Sequence, residues 1–360
     1  MMKDRAMDKL IAKAMNWPEK TVLVTGGTGS FGREFASLML GEFQPKKLII
    51  FSRDEMKQYS MRADGFDAPN IRYFIGDVRD KERLYRAFYG VDVVVHAAAM
   101  KQVPTAEYNP FEAIKTNVIG AANVIDAAID CGVEKVIALS TDKAANPINL
   151  YGASKLCSDK LFVAGNAYCA ARKTRMSVVR YGNVAGSRGS VIPFFWEQRK
   201  GGVLTITDRR MTRFWITLEQ GARFVAQCLE QMHGGEIFVP KIPSMRICDL
   251  AEVIAPGCRI NVVGIRPGEK LHEVMVPRDD ARHTVELQDF YVIQPDFQWW
   301  DAKNWKAGTP CEDGFRYSSD TNLQWLTRAE MQSIIASLRL DGTSEDGRND
   351  SRLRAVATAR

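Results

Sequence analysis

A β-branched run, Thr21 to Val24, leads directly into Thr25-Gly26-Gly27-Thr28-Gly29-Ser30-Phe31-Gly32, and a helical pattern follows from Phe31 to Phe43. A strand that passes through glycines into a helix makes a sharp turn with an open backbone, and the helix begins with unsatisfied N–H groups. That arrangement suits a pyrophosphate, held by the N–H groups and the positive end of the helix dipole. A lone glycine motif is a weak signal. Here the strand–turn–helix setting favours a ligand over a tight turn that binds nothing.

The same rhythm continues. Lys47 to Phe51, Ile71 to Ile75, Val91 to Val95, Lys135 to Leu139 and Met176 to Arg180 are apolar strand-like runs. Helical stretches separate them, notably Pro110 to Asp130 and Tyr151 to Arg172. Continuous apolar strands alternating with helices predict an α/β fold, a Rossmann-type doubly wound parallel sheet covered on both faces, over residues 21–186. After Gly186 the pattern turns irregular, with short strands such as Leu204 to Thr207 and Ile237 to Val239. Residues 187–300 are expected to form a smaller C-terminal α/β substrate domain, with pieces returning to the first sheet. Residues 301–341 form a C-terminal segment whose tryptophans are assigned to packing. Residues 342–360 are polar and poor in aromatics, a composition that predicts a disordered tail. In residues 1–20, Met7, Leu10, Ile11, Ala14 and Met15 fall at helical spacing before Trp17-Pro18. They predict a helical extension, packed on its own domain in preference to a subunit contact.

Composition excludes several classes. The 360 residues are 46% hydrophobic and 26% charged, with a net charge of +6. This is globular composition, and without a long Lys/Arg block it predicts no nucleic-acid partner. Seven scattered cysteines with no Cys-x-x-Cys pair predict buried thiols in a reducing compartment and no metal site. Met1 to Lys20 mixes acids and bases, and no segment approaches the roughly 20 apolar residues of a membrane span. The expectation is a soluble, cytoplasmic protein with no membrane partner.

The second strand ends Phe51-Ser52-Arg53-Asp54. Arg53 and Ser52 suit the 2′-phosphate of NADP, whereas an acidic residue there would suit the ribose of NAD. Asp77-Val78, past the third strand, is placed to meet the adenine, with a helix N-cap as the alternative role for Asp77. Tyr151 and Lys155 share one face at the start of a helix, and an adjacent ammonium favours the phenolate. Such a tyrosine can take a hydroxyl proton as a hydride leaves. Ser140-Thr141-Asp142-Lys143 stands at the C-terminal end of the fifth strand, the edge where open α/β sheets bind ligands. There Asp142 and Lys143 could serve proton transfers beyond simple oxidation, or else form a solvated pair capping a loop.

These motifs carry a resemblance. TGGTGSFG, FSRDEMKQ (Phe51 to Gln58), HAAAMKQVP (His96 to Pro104) and LSTDKAANPINLYGASK (Leu139 to Lys155) form its first half. RYGNVAGSRGSVIPFF (Arg180 to Phe195), MTRFWIT (Met211 to Thr217) and RPGEKLHE (Arg266 to Glu273) form its second. The chain resembles the inverting UDP-N-acetylglucosamine 4,6-dehydratases that start pseudaminic acid synthesis, a branch of the extended short-chain dehydrogenases. The resemblance covers roughly Thr21 to Gln294, and the Asp-Lys pair separates the group from relatives that carry Asp-Glu there. It implies a hydro-lyase that uses NADP without net redox change. Tyr151, helped by Lys155 and Thr141, would deprotonate the sugar 4-hydroxyl; Lys143 would take the carbon 5 proton; Asp142 would protonate the departing 6-hydroxyl. Lys143 would have to be neutral part of the time, with Lys155 and a water-poor site lowering its pKa.

The resemblance also implies a cofactor set of Gly26, Gly29, Ser30, Phe31, Gly32, Ser52, Arg53, Asp54, Glu55, Met56, Lys57, Gln58, Asp77, Val78, Ala97, Tyr151 and Lys155. The UDP-N-acetylglucosamine site would take Lys101, Asn183, Val191, Ile192, Pro193, Phe194, Phe195, Arg213, Arg266 and Glu269. Arg213 and Arg266 would bind the diphosphate bidentately. Phe194, Phe195 and Trp196 read as core rather than ligand stackers. A homo-oligomer, dimer or hexamer, is implied too. A UDP-sugar 4-epimerase and a non-catalytic NADP-binding regulator are the alternatives. The Asp-Lys pair disfavours the first, and an intact Tyr151 and Lys155 disfavour the second.

Overall fold

The computed structural model describes residues 15–169, 173–187 and 189–340. The expected helix over Met7 to Ala14 and the expected tail from Gly342 lie outside the described residues. The first half alternates strand and helix: β1 (Thr21–Thr25), α1 (Ser30–Leu38), β2 (Lys47–Ser52), α2 (Glu55–Ala63), β3 (Ile71–Ile75), α3 (Lys81–Phe88) and β4 (Val93–His96). Then come α4 (Val103–Tyr108), α5 (Pro110–Ile114), α6 (Gly120–Cys131), β5 (Lys135–Thr141), α7 (Leu150–Gly165) and β6 (Arg175–Tyr181). The second half holds β7 (Asn183–Val184), α8 (Val191–Arg199), β8 (Val203–Ile206), β9 (Thr212–Ile216), α9 (Leu218–Gln231), β10 (Ile237–Pro240), β11 (Ser244–Arg246), α10 (Ile247–Ile254) and β12 (Arg259–Val262). It closes with β13 (Val274–Val276), β14 (Thr284–Glu286), β15 (Phe290–Ile293), β16 (Thr309–Pro310), β17 (Tyr317–Ser318) and α11 (Arg328–Leu340).

The main sheet runs β16-β14-β15-β10-β6-β5-β4-β1-β2-β3. From β10 to β3 every pairing is parallel, and β15, β14 and β16 add an antiparallel edge. This is the expected doubly wound sheet. Its order reverses between β1 and β4, the switch point at which such sheets bind ligands. The strands read as unbroken apolar runs because both faces are covered: Val22, Leu23, Val24, Val93, Val94 and Val95 are fully buried. Each such side chain contributes about 1.5–3 kcal/mol relative to exposure.

A second, separate core lies beside the sheet. Ile192, Phe195, Trp196, Leu204, Trp215, Met245, Leu250 and Ile254 form it, joined by Met331, Ile335 and Leu338 of α11. The segment after residue 300 is thus shared. β16 returns to the main sheet, whereas α11 closes the smaller core.

The stretch read as one helix from Pro110 to Asp130 is interrupted. A wide turn at Lys115–Ile119 separates α5 from α6. At its centre Asn117 is buried and brackets the Met100 backbone: Oδ1 accepts from the Met100 N–H (2.8 Å), and Nδ2 donates to the Met100 carbonyl (3.0 Å) and to Ser154 Oγ (3.0 Å). The amide fixes the loop after β4 against α7, and such wide turns commonly mark functional sites.

A buried ion pair ties the frame of the site together. Arg180 on β6 reaches Asp159 on α7 (3.2 Å), which also accepts from Ser140 Oγ on β5 (2.8 Å). Arg180 donates as well to the Met275 carbonyl on β13 (2.9 Å). Both charged side chains are almost entirely buried. Asp159→Ala leaves an unpaired buried guanidinium and should cost about 3–5 kcal/mol in denaturant unfolding. A loss within the range of an ordinary surface substitution would contradict this role.

Candidate active site

One cavity of about 1570 Å³ runs along the carboxyl edge of the sheet, from the glycine turn after β1 to the loop at Arg266–Lys270. The turn is built as the sequence demands. Gly26 has φ +66°, and a Cβ there would press on the Ala98 backbone at 2.8 Å. The cavity wall includes Gly26, Gly29, Ser30, Phe31, Gly32, Ser52, Arg53, Asp54, Lys57, Asp77, Val78 and Ala97. A glycine cradle at a helix N-terminus, opening into a cavity this long, fits a dinucleotide.

Several members of the expected cofactor set make contacts within the protein or lie off the cavity wall. Gln58 is buried and donates to the Ser52 and Phe74 carbonyls, tying β2 to β3. Met56 is exposed, and neither it nor Glu55 is on the cavity wall. Asp54 caps α2, accepting from the Lys57 N–H at 3.0 Å. Asp77 is not the cap of α3, which is Asp80; it pairs with Arg79 (2.8 Å) and Arg53 (3.5 Å).

At the far end, Lys101, Asn183, Val191, Pro193, Phe194, Phe195, Arg213, Arg266 and Glu269 line the same cavity. Ile192 does not; it is fully buried in the smaller core. Phe195 and Trp196 are buried as expected, but Phe194 is not core, being 44% exposed. Arg213 is almost wholly buried and donates to the carbonyls of Thr212, Leu271 and Lys270 at 2.7–3.1 Å. Its guanidinium is therefore largely committed to the backbone, whereas Arg266 is exposed. The Arg266 loop is anchored by Asn149, the N-cap of α7. Its Oδ1 accepts from Gly152 N–H and its Nδ2 donates to the Gly268 carbonyl, both at 2.7 Å.

Between these ends stand Thr141, Lys143, Tyr151 and Lys155. α7 meets the Asp142–Ala144 turn so closely that a Cβ on Gly152 would collide with the Lys143 carbonyl oxygen. Lys143 Nζ lies 3.0 Å from Asp142 Oδ1 and 3.3 Å from Glu273 Oε1. Burial alone would lower its pKa, but the two carboxylates outweigh burial and the opposing Arg213, and the amine is raised well above its usual value. The expected lowering of Lys143 by Lys155 is overturned, because the carboxylates of Asp142 and Glu273, not Lys155, are the charges that act most strongly on it.

Tyr151 also departs from expectation. Burial pushes its phenol up to about 12, and Lys143 and the Thr141 hydroxyl, rather than Lys155, are the groups that oppose the rise. Lys155 is buried, which lowers its own pKa against the attraction of Asp159. Asp142 has no exposed surface; its Oδ1 accepts from Thr141 Oγ1 (2.9 Å) and Lys143 Nζ (3.0 Å), and it is off the cavity wall. It faces Thr141 and Lys143.

The sequence reading passed over Glu273 and Lys270, although both lie within the quoted Arg266 to Glu273 motif. Glu273 lines the cavity, is 1% exposed and also meets Arg213 Nε at 3.8 Å. Lys270 donates to the Ala145 carbonyl at 2.6 Å. Only the folded chain brings them to Lys143.

A doubly wound sheet with a glycine turn and a Tyr-x-x-x-Lys pair at its carboxyl edge defines an enzyme of the extended short-chain dehydrogenase class. Residues 22–295 match the polysaccharide biosynthesis protein family, and the chain belongs to it. A Campylobacter jejuni protein named UDP-N-acetylglucosamine 4,6-dehydratase (inverting) is 56% identical over 326 residues, covering 88% of this chain and 97% of that protein. A Rickettsia conorii protein named UDP-glucose 4-epimerase is 45% identical over 286 residues, covering 77% and 84%. The X-ray structure of Pen from Bacillus thuringiensis superposes with a TM-score of 0.83 at 36% identity, covering 90% of this chain and 99% of that one.

Behind the cofactor cradle, His96 at the end of β4 is buried and shares a 2.8 Å hydrogen bond between Nδ1 and Thr25 Oγ1. Burial, and then the nearby Lys155, lower its pKa to about 3. The unfolded imidazole takes up a proton near pH 6.5. Between these values the unfolded state binds more protons, so this stabilisation is full above about pH 6.5 and falls towards pH 3 by up to about 1.4 kcal/mol per unit. His96→Asn should flatten the pH dependence of unfolding free energy in that window. An unchanged slope would mean that His96 titrates normally.

Proposed function

We propose that this protein is an inverting UDP-N-acetylglucosamine 4,6-dehydratase, a hydro-lyase acting in the cytoplasm as a homo-oligomer and making a 4-keto-6-deoxy precursor for pseudaminic acid. The observation that carries the reading is Lys143, an amine on the cavity wall between two carboxylates and beside the Tyr151 phenol. A simple dehydrogenase or a 4-epimerase needs the tyrosine but leaves such an amine without a task. The family relationship and the relative named for this activity support the same reading. No helix among the described residues is long and apolar enough to cross a membrane. A nucleotide sugar and a nicotinamide cofactor are cytoplasmic metabolites, which is why the activity is assigned there.

Gly26, Gly29 and the N-terminus of α1 would hold the pyrophosphate of NADP, and Ser52 and Arg53 its 2′-phosphate. The cofactor would supply reversible hydride acceptance, taking hydride from carbon 4 and giving it back at carbon 6 once the 6-hydroxyl has left, so that no net redox change results. Tyr151, with Thr141 beside it, takes the proton of the sugar 4-hydroxyl. The resulting ketone acidifies carbon 5, whose proton passes to Lys143. The ammonium so formed and Asp142, hydrogen-bonded to it at 3.0 Å, supply the proton for the departing 6-hydroxyl. Asp142 also holds Thr141. Reprotonation of carbon 5 on the opposite face inverts it.

Two variants separate the roles. Tyr151→Phe stops oxidation, so no deuterium enters carbon 5 in heavy water. Lys143→Ala should still give transient reduced-cofactor absorbance in a single turnover while carbon 5 exchange falls by about 100- to 10,000-fold. Exchange at the wild-type rate in Lys143→Ala would remove Lys143 as the base and leave the 4-epimerase reading standing.

Cofactor choice has its own test. In titrations of the cofactor-free protein, NADP should bind more tightly than NAD, and Arg53→Ala should erase the preference. Tighter binding of NAD by the wild type would refute the assignment of Ser52 and Arg53 to a phosphate.

A further inference from the structure

Glu273 stands just before β13, far in sequence from the Asp142–Ala144 turn, yet its carboxylate ends at the catalytic amine. Its Oε1 lies 3.3 Å from Lys143 Nζ and 3.8 Å from Arg213 Nε. Its Oε2 is buried without a hydrogen-bond donor among the described residues, and Lys270 Nζ is 3.7 Å away. The backbone of Glu273 is held from both sides. Its N–H donates to Ser319 Oγ (2.9 Å), and its carbonyl accepts from the Ser319 N–H (2.8 Å). A fully satisfied main chain supporting an incompletely satisfied buried carboxylate is a costly arrangement for packing alone, since an unmet buried acceptor costs about 1–3 kcal/mol.

We propose that Glu273 is a positioning residue for the reaction: its carboxylate fixes the Lys143 amine at the cavity wall and decides how firmly that amine holds its proton. This rests on the dehydratase reading for its purpose, though not for its physical content. The charged groups around Lys143 are Asp142 on its own turn, Glu273 and Lys270 from the segment before β13, Arg213 from β9 and the Tyr151 phenol from α7. Asp142 is fixed by the covalent chain, so Glu273 is the carboxylate whose placement depends on the fold. A carboxylate this close makes the free amine scarcer and more basic. A hydrogen next to a ketone is a weak acid, so a more basic amine is the better acceptor for it.

The test reads Lys143 directly. Purified holoprotein is treated with limiting acetic anhydride near pH 8, and acetylation of Lys143 is followed by peptide mass spectrometry. Only the uncharged amine reacts. An opposite charge within about 4–6 Å shifts a pKa by roughly one unit or more. Glu273→Gln should therefore acetylate Lys143 up to about tenfold faster than wild type. Glu273→Asp, which keeps the charge, should fall between the two. The pH profile of carbon 5 exchange should move in parallel, its acid limb shifting by about one unit to lower pH in Glu273→Gln.

Acetylation of Lys143 in Glu273→Gln at the wild-type rate would overturn the proposal. So would equal acceleration by Gln and Asp, since packing rather than charge would then be the cause. If Glu273→Gln does not accumulate as folded protein, Glu273→Asp carries the test, and a wild-type rate there counts against the proposal. Faster acetylation in a protein that never exchanges carbon 5 would sink the dehydratase reading and leave the role of Glu273 over Lys143 intact.

Discussion

Five charged side chains meet at the carboxyl edge of β5 where water has little access: Asp142, Lys143, Arg213, Lys270 and Glu273. Charges in such a place must answer one another, because an unpaired one costs several kcal/mol. The five come from the turn after β5, from β9 and from the segment before β13, so the attraction of three cations to two carboxylates ties these segments together. The geometry of the site follows from that attraction. Lys143 is aimed by carboxylates from two segments, Arg213 is drawn into backbone carbonyls, and the Arg266 loop is tied to the start of α7 through Asn149. The neighbouring Arg180–Asp159 pair performs the same service one layer deeper, joining β5, β6, α7 and β13.

The electrostatics bear on chemistry in a specific way. Both proposed proton acceptors are held protonated in this arrangement. Tyr151 is pushed up by burial, and Lys143 is raised by Asp142 and Glu273. That differs from the expectation of a lysine made neutral by a neighbouring ammonium. Its origin is simple: Lys155 lies near His96 and Asp159, while the carboxylates of Asp142 and Glu273 stand beside Lys143.

What could be read from the sequence was what short-range pattern encodes. The parallel strands were visible because burial on both faces leaves unbroken apolar runs such as Val93 to Val95. The glycine turn was visible because only glycine tolerates the conformation of Gly26, and Tyr151 and Lys155 because their spacing is one helical turn. What could not be read depends on contacts between distant segments. Nothing local separates Asp142, which is sealed behind the wall, from Lys143, which stands on it. The carbonyl partners of Arg213, on Thr212, Lys270 and Leu271, could not be read from its own segment. Ile192 and Phe194 sit two residues apart in one helix, yet one is core and the other lines the cavity. The wide turn at Lys115–Ile119 carries Asn117, whose bonds go to Met100, a partner absent from its own helix. The antiparallel edge of β14, β15 and β16, and the recruitment of α11 to the smaller core, are likewise products of the assembled fold.

The central claim is that the buried amine serves elimination at carbons 5 and 6 with inversion, on the same oxidised scaffold that an epimerase would use only at carbon 4. Proton NMR of the product formed by the purified protein from UDP-N-acetylglucosamine in heavy water tests it most directly. The account predicts that the carbon 6 hydroxymethylene signals disappear, a methyl signal replaces them, carbon 5 carries deuterium, and the ring couplings report the L-arabino configuration. A product that keeps its hydroxymethylene group with carbon 4 inverted, or a methyl product with carbon 5 configuration retained, would contradict it.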